Sequence, residues 1–162
     1  MMPAPPEARR PRLSGYVKPG QLLPWSWVDE RMRRARSYWI ATRTRGFPSS
    51  LPVWGVWHEN TLLFSTGGRI GRNLADDDRV QVNLESADEL VLVEGHAHPL
   101  PEELGGLWAE AYNAKYHWDM PVSSEDVYRV APVRVLAWMV DSSGLDGGML
   151  FSNTATEWRF EA

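Results

Sequence analysis

Within nine residues, Ser65 to Asn73 bring together two hydroxyls, a glycine pair and two guanidinium groups three residues apart (STGGRIGRN). The apolar run before them, Leu62-Leu63-Phe64, stops at the hydroxyls as a strand does, and after the glycines the chain resumes at helical spacing. A strand-to-helix turn of this composition suits an anion, phosphate above all. Backbone N–H groups of the turn and helix N-terminus point at the charge, Ser65 and Thr66 add hydroxyl donors, and Arg69 and Arg72 close over it. The same side chains have competing roles. Arg69 and Arg72 could pair with the acidic trio Asp76, Asp77 and Asp78, where an Arg72–Asp76 pair at i,i+4 would contribute about 0.2–0.5 kcal/mol. Asn73 could cap or bridge the turn as readily as touch a ligand.

A second group of chemically capable residues is Glu94, His96 and His98, alternating along one strand face. Two histidines and a carboxylate are a metal-binding set. Strand rise, however, separates Glu94 from His98 by about 13 Å, beyond one coordination shell, so no metal is expected from this triad. Lys115 and Tyr116 could reach a phosphate or a substrate carboxylate, or could anchor their helix to the sheet. Ser49, Ser50 and Ser65 have no His/Asp partners at a recognisable spacing, so no catalytic side-chain pair is identified. The chain has no cysteine, which excludes disulfides, thiolate catalysis and iron–sulfur clusters. If the protein is an enzyme, its hard step belongs to a cofactor.

These residues must be positioned by a body of 162 residues, long enough for a single domain with a substantial core. The net charge is −4 and unevenly spread. Residues 1–36 hold eight of the 17 Lys/Arg and three of the 21 Asp/Glu, so the remainder is acidic, the wrong sign for nucleic acid. No apolar run is long enough to span a membrane, and a soluble cytoplasmic protein is expected. Nine tryptophans supply core and subunit-burial area, and one or two could floor a flat ligand.

Residues 1–23, rich in Pro, Arg and Gly, read as a flexible or loosely draped arm before a single domain at 24–162. Ser26 and Asp29 suggest a capping box for a helix at 26–36. Strands are predicted at 38–43, 51–58, 61–66, 80–85, 89–100, 133–140 and 156–160, with Glu59-Asn60 as a two-residue hairpin turn. Helices are predicted at 70–77 and from Pro101 to about 116, the latter exposing Glu102, Glu103 and Glu110. A glycine-rich loop at 141–152 joins the last two strands. Many strands with short turns and few inserted helices argue for a mainly β barrel.

In order and spacing, the segments YWIAT (38–42), GFPSSLPVWGVW (46–57), LLFST (62–66), GRIGRNLADDDRVQVNL (68–84), VEGHA (93–97), AYNAKYHW (111–118), VRVLAW (133–138) and TEWRF (156–160) carry a resemblance. The chain resembles the pyridoxamine 5′-phosphate oxidase-like family of FMN-binding split barrels, particularly its actinobacterial-type members. The resemblance implies a homodimer with FMN at the subunit interface and flavin-dependent oxidation or reduction of a small planar substrate. It implies that the isoalloxazine lies against Pro52, Val53 and Trp54 and the phosphate against Ser65, Thr66, Arg69, Arg72 and Asn73. Aromatic residues such as Trp138 or Trp158 would complete the partner's pocket. Deazaflavin-dependent reductases of the same fold, and non-enzymatic flavin- or haem-binding modules, are the alternatives. Two positions depart from many relatives. Ile70 stands where a lysine is common, removing one cation near the phosphate, and Phe47-Pro48-Ser49 stands where Arg-Pro-His is common.

Overall fold

In the computed structural model, residues 3–13, 20–140 and 153–161 are described; the predicted loop at 141–152 lies outside them. Helix α1 (Trp25–Arg34) buries Val28 and Met32. It starts one residue before the expected Ser26 cap: Pro24 occupies the N-cap and no side chain caps the helix. Asp29 is instead engaged by Trp57 Nε1 (3.0 Å) and Arg33 Nε (2.8 Å), tying the helix to the sheet.

Eight strands follow the period-2 stretches of the sequence: β1 (Tyr38–Thr42), β2 (Ser49–Val53), β3 (Gly55–His58), β4 (Thr61–Ser65), β5 (Arg79–Asn83), β6 (Glu89–Pro99), β7 (Val127–Met139) and β8 (Thr156–Arg159). Helix α2 (Gly68–Asp76) lies between β4 and β5. A 3₁₀ turn (Glu102–Leu104) leads into α3 (Gly105–Tyr116) between β6 and β7. The helix after Pro101 thus begins later than expected, with Glu102, Glu103 and Glu110 exposed as anticipated.

The strand order is β2-β1-β5-β6-β7-β4-β3, with β8 on β7 and every pairing antiparallel. This order corrects the single strand expected at 51–58. β2 and β3 lie at opposite ends of the path, yet only Trp54 separates them. Seven strands laid flat would place those ends roughly 29 Å apart at the usual interstrand spacing. A connection through one residue reaches about 7 Å. The sheet therefore curls until its ends meet, and Trp54 marks the crossover.

Glu59 and Asn60, at φ 46° and 62°, form the expected two-residue turn between β3 and β4. β7 is longer than the predicted 133–140 because Pro132, which reads as a strand breaker, sits at a bulge. The β6–β7 register shifts between Glu94 and Gly95, and Gly95 faces Pro132. A Cβ on Gly95 would overlap the Ala131 carbonyl, so this is a place where proline and close backbone approach coexist.

The inward faces of the strands bury Tyr38, Ile40, Val82, Val91, Val93 and Trp158 against Val28 and Met32 of α1 and Ile70 and Leu74 of α2. A smaller cluster of Val56, Leu63, Leu100, Trp108 and Val127 lies with α3. The N-terminal arm reaches the sheet edge, where Arg9 exchanges backbone hydrogen bonds with Glu157 of β8 (2.9 and 2.8 Å).

Candidate functional site

The turn after β4 has fewer free donors than the sequence suggests, because the Thr66 hydroxyl is donated to the Gly67 carbonyl (3.3 Å). Thr66 N–H is already donated to the Asp126 carbonyl (2.9 Å). Gly67 is extended, and Gly68 turns into the left-handed region at φ 59°, where a side chain would be strained. Nothing lies within 4 Å of a Cβ built at either glycine, leaving the front of the turn open. Gly67 is the N-cap of α2, no side chain caps the helix, and no acidic residue occupies its first turn. The opening N–H groups therefore lack a side-chain acceptor.

Arg69 and Arg72 project from the exposed face of α2 while Ile70 and Leu74 are buried beneath it. Among the described residues neither arginine makes a hydrogen bond or ion pair, and the Arg72–Asp76 pair does not form. The acidic trio has other commitments. Asp77 pairs with Arg79 (2.6 Å) and Arg43 (3.5 Å), which hold its carboxyl below the ordinary range, and Asp78 binds two histidines. Asn73 takes the bridging role, its Nδ2 donating to the buried Thr42 Oγ1 (2.9 Å) and fastening α2 to β1. Ile70, where a lysine is common in the resembled family, is 4% exposed and belongs to the core.

The β3–β4 register pairs Gly55 with Phe64, so the crossover at Trp54 and the turn at Ser65 stand at the same end of the ladder. The β3–β4 hairpin thereby brings Trp54 and Ser65 to one end of the sheet. Of the three crossover residues, Val53 sends its side chain into the core, while Pro52 and Trp54 remain exposed. The Trp54 indole stacks on Tyr116 (centroids 4.6 Å, interplanar angle 3°), with the Arg36 guanidinium 5.1 Å from the ring centroid. β2 ends the strand path, so one of its edges has no strand partner among the described residues.

Lys115 and Tyr116 anchor α3 to this crossover, one of the two roles their sequence allowed. Lys115 Nζ donates to the Gly55 carbonyl (2.8 Å) and to Tyr38 Oη (2.9 Å). Tyr116 Oη accepts from Gly55 N–H (2.9 Å) and donates to the Arg36 carbonyl (2.6 Å). Burial lowers the Lys115 ammonium to about 8 and pushes the Tyr38 phenol up. The sequence carried no sign that Arg36, Tyr38, Gly55, Lys115 and Tyr116 form one network, because only the fold makes them neighbours. Trp158, expected to reach a partner's pocket, is 1% exposed and lies edge-on to Trp25 (5.3 Å) in this chain's own core. Trp138 remains partly exposed, held by Nε1 on the Ala87 carbonyl (2.8 Å).

No family model matches the chain, and no curated protein matches it in sequence. Solved structures do match. A Listeria innocua protein named for pyridoxamine 5′-phosphate oxidase aligns at 14% identity and a TM-score of 0.58, over 69% of this chain and 95% of its own. A FAD-binding protein of Mesorhizobium loti aligns at 17% identity and 0.56, over 86% and 96%. The fold is the split barrel of the FMN-binding proteins. A haem-binding protein of Mycobacterium smegmatis shares this split barrel at 19% identity and a TM-score of 0.54, over 71% of this chain and 54% of its own. At such identities the likeness establishes the fold alone. Split barrels named for FAD and for haem share the scaffold, so the ligand must be argued from side chains.

Proposed function

We propose that this chain is a flavin-dependent oxidoreductase of the actinobacterial type that binds FMN as a homodimer and acts on a small planar substrate. The observation that carries the reading is the seat at 65–73. Two exposed arginines, unpaired among the described residues, stand on the first turns of an uncapped helix that opens from a glycine turn at the end of the strand beside Trp54. That donor set fits one phosphomonoester dianion, with the Ser65 hydroxyl in the same turn and the Thr66 hydroxyl able to exchange its bond to the Gly67 carbonyl for one to the anion. The unpaired edge of β2, with Pro52 and Trp54 exposed, supplies a side for the ring system, and Val53 contributes backbone only. Bound flavin supplies two-electron transfer through its N5; the residues here bind, orient and shield it. A deazaflavin with a longer, multiply anionic tail is less well matched, because position 70 is buried apolar rather than cationic. The outer face of the barrel leaves Trp39 and Val133 exposed, which supports burial against a second copy.

The test is a comparison of ligands. Arg69→Ala is expected to weaken FMN binding by about 1.5–3 kcal/mol, the scale of a charge-assisted hydrogen bond. Riboflavin, which lacks the phosphate, is expected to bind both proteins equally. Equal losses for the two ligands would move the phosphate away from Arg69. Tighter binding of a deazaflavin or haemin than of FMN by the wild-type protein would replace the proposed cofactor.

A further inference from the structure

His96 and His98 stand two residues apart on β6, and the fold brings Asp78, from the link between α2 and β5, up to both of them. Asp78 Oδ1 lies 2.8 Å from His96 Nδ1, and Oδ2 lies 2.8 Å from His98 Nε2. The potential ligand atoms of the three side chains all fall within 4.8 Å of one another. The two imidazoles are nearly parallel, with centroids 6.1 Å apart and an interplanar angle of 16°. The backbone fixes both sides of the cluster. Ala97, between the histidines, donates its N–H to the Asp78 carbonyl (2.8 Å), and Arg79 pairs with His96 in the β5–β6 ladder.

We propose that Asp78, His96 and His98 form a binding site for a divalent transition-metal ion of the zinc, cobalt and nickel class. Two imidazoles and one carboxylate are a donor set that such ions favour, whereas magnesium and calcium seek oxygen. The donor atoms already converge. Exchanging the two hydrogen bonds for metal bonds of about 2.0–2.2 Å calls for small rotations of side chains that solvent can reach. Neighbouring charge leaves the cluster available: Arg79 and Arg43 are paired with Asp77, and Glu94 is drawn away to Arg134 (3.4 Å). Glu94, the carboxylate that strand spacing offered, was too distant. The ligand the strand lacks comes from another element, and only the fold supplies it.

Three protein ligands leave coordination positions for water or a small ligand. His96 also lines a cleft of about 400 Å³ with Ala41, Thr42, Gln81 and Val133, so the ion would stand at that cleft's rim.

The tag-free protein would be titrated with Co²⁺, read by its visible absorption, and with Zn²⁺, read by calorimetry. One ion per chain is expected. Asp78→Asn, His96→Gln and His98→Gln are each expected to weaken binding about tenfold or more. The two remaining histidines, His58 and His117, provide controls, and His58→Gln and His117→Gln are expected to leave binding unchanged. Thermal melts of each variant separate loss of the site from loss of the fold, because Zn²⁺ should raise the melting temperature of wild type and not of a folded His96→Gln/His98→Gln double variant. Absence of saturable binding by wild type would overturn the site, as would binding that survives in the folded double variant.

Discussion

Replacing Ile70 with lysine, the residue common in the resembled family, tests how α2 is oriented. Ile70 is 4% exposed and packs in the main core beside Leu74, whereas Arg69 and Arg72 occupy the outer face of the same helix. Burying an isoleucine side chain is worth about 1.5–3 kcal/mol, which the substitution forfeits in part. The new ammonium must then either stay in the core without a partner or drag its stem past the helix to water, and either course costs more. A total of about 3 kcal/mol corresponds to a fall in melting temperature of about 6–12 °C for a domain of this size. The milder Ile70→Val is expected to cost about 0.5–1.5 kcal/mol. Melts followed by circular dichroism, with FMN titrations at two salt concentrations below the lower melting temperature, give both quantities. The expected result for Ile70→Lys is a destabilised protein with no gain in FMN affinity. An unchanged melt with tighter, more salt-sensitive FMN binding would put residue 70 on the anion's side of α2 and refute the orientation.

Glu157 is buried on β8, and although burial favours its neutral form, hydrogen bonds from Arg134 Nε (2.7 Å) and Arg159 Nε (2.5 Å) hold its pKa below the usual value. Its stabilisation is therefore complete above the ordinary carboxylate pKa and lost as pH falls through the lowered one; Glu157→Gln should cost about 1.5–3 kcal/mol at pH 7 and flatten the acid limb of denaturant-unfolding curves. Lys115, lowered by burial to about 8, sheds its proton in the folded state before it does in the unfolded chain. Folding stability should consequently rise between about pH 8 and 10, and Lys115→Met should abolish that rise in chemical unfolding. Light scattering at micromolar concentration is expected to give the mass of a dimer, and a monomer with and without FMN would remove the proposed interface.

The alternation of apolar residues along 38–42, 80–83 and 89–99, the Glu59-Asn60 turn and the Gly67-Gly68 break were legible in the sequence because each is a local preference of backbone or side chain. The same holds for Arg69 and Arg72, whose spacing places them on one helix face whatever that helix packs against. The division of the stretch at 51–58 was not legible, since nothing local to Trp54 records that the two ends of a seven-strand path must meet there. The extension of β7 through Pro132 was not legible for a related reason: a missing N–H breaks a regular ladder but is harmless at a bulge opposite Gly95. Asp78 offers the sharpest contrast. Along the chain it is the last of three acidic residues and a candidate partner for arginine; in the fold it faces two histidines that lie 18 and 20 residues away. Local chemistry in the sequence determined the elements and the candidate ligands, while antiparallel register and sheet closure, which are long-range properties, decided which of those ligands face one another.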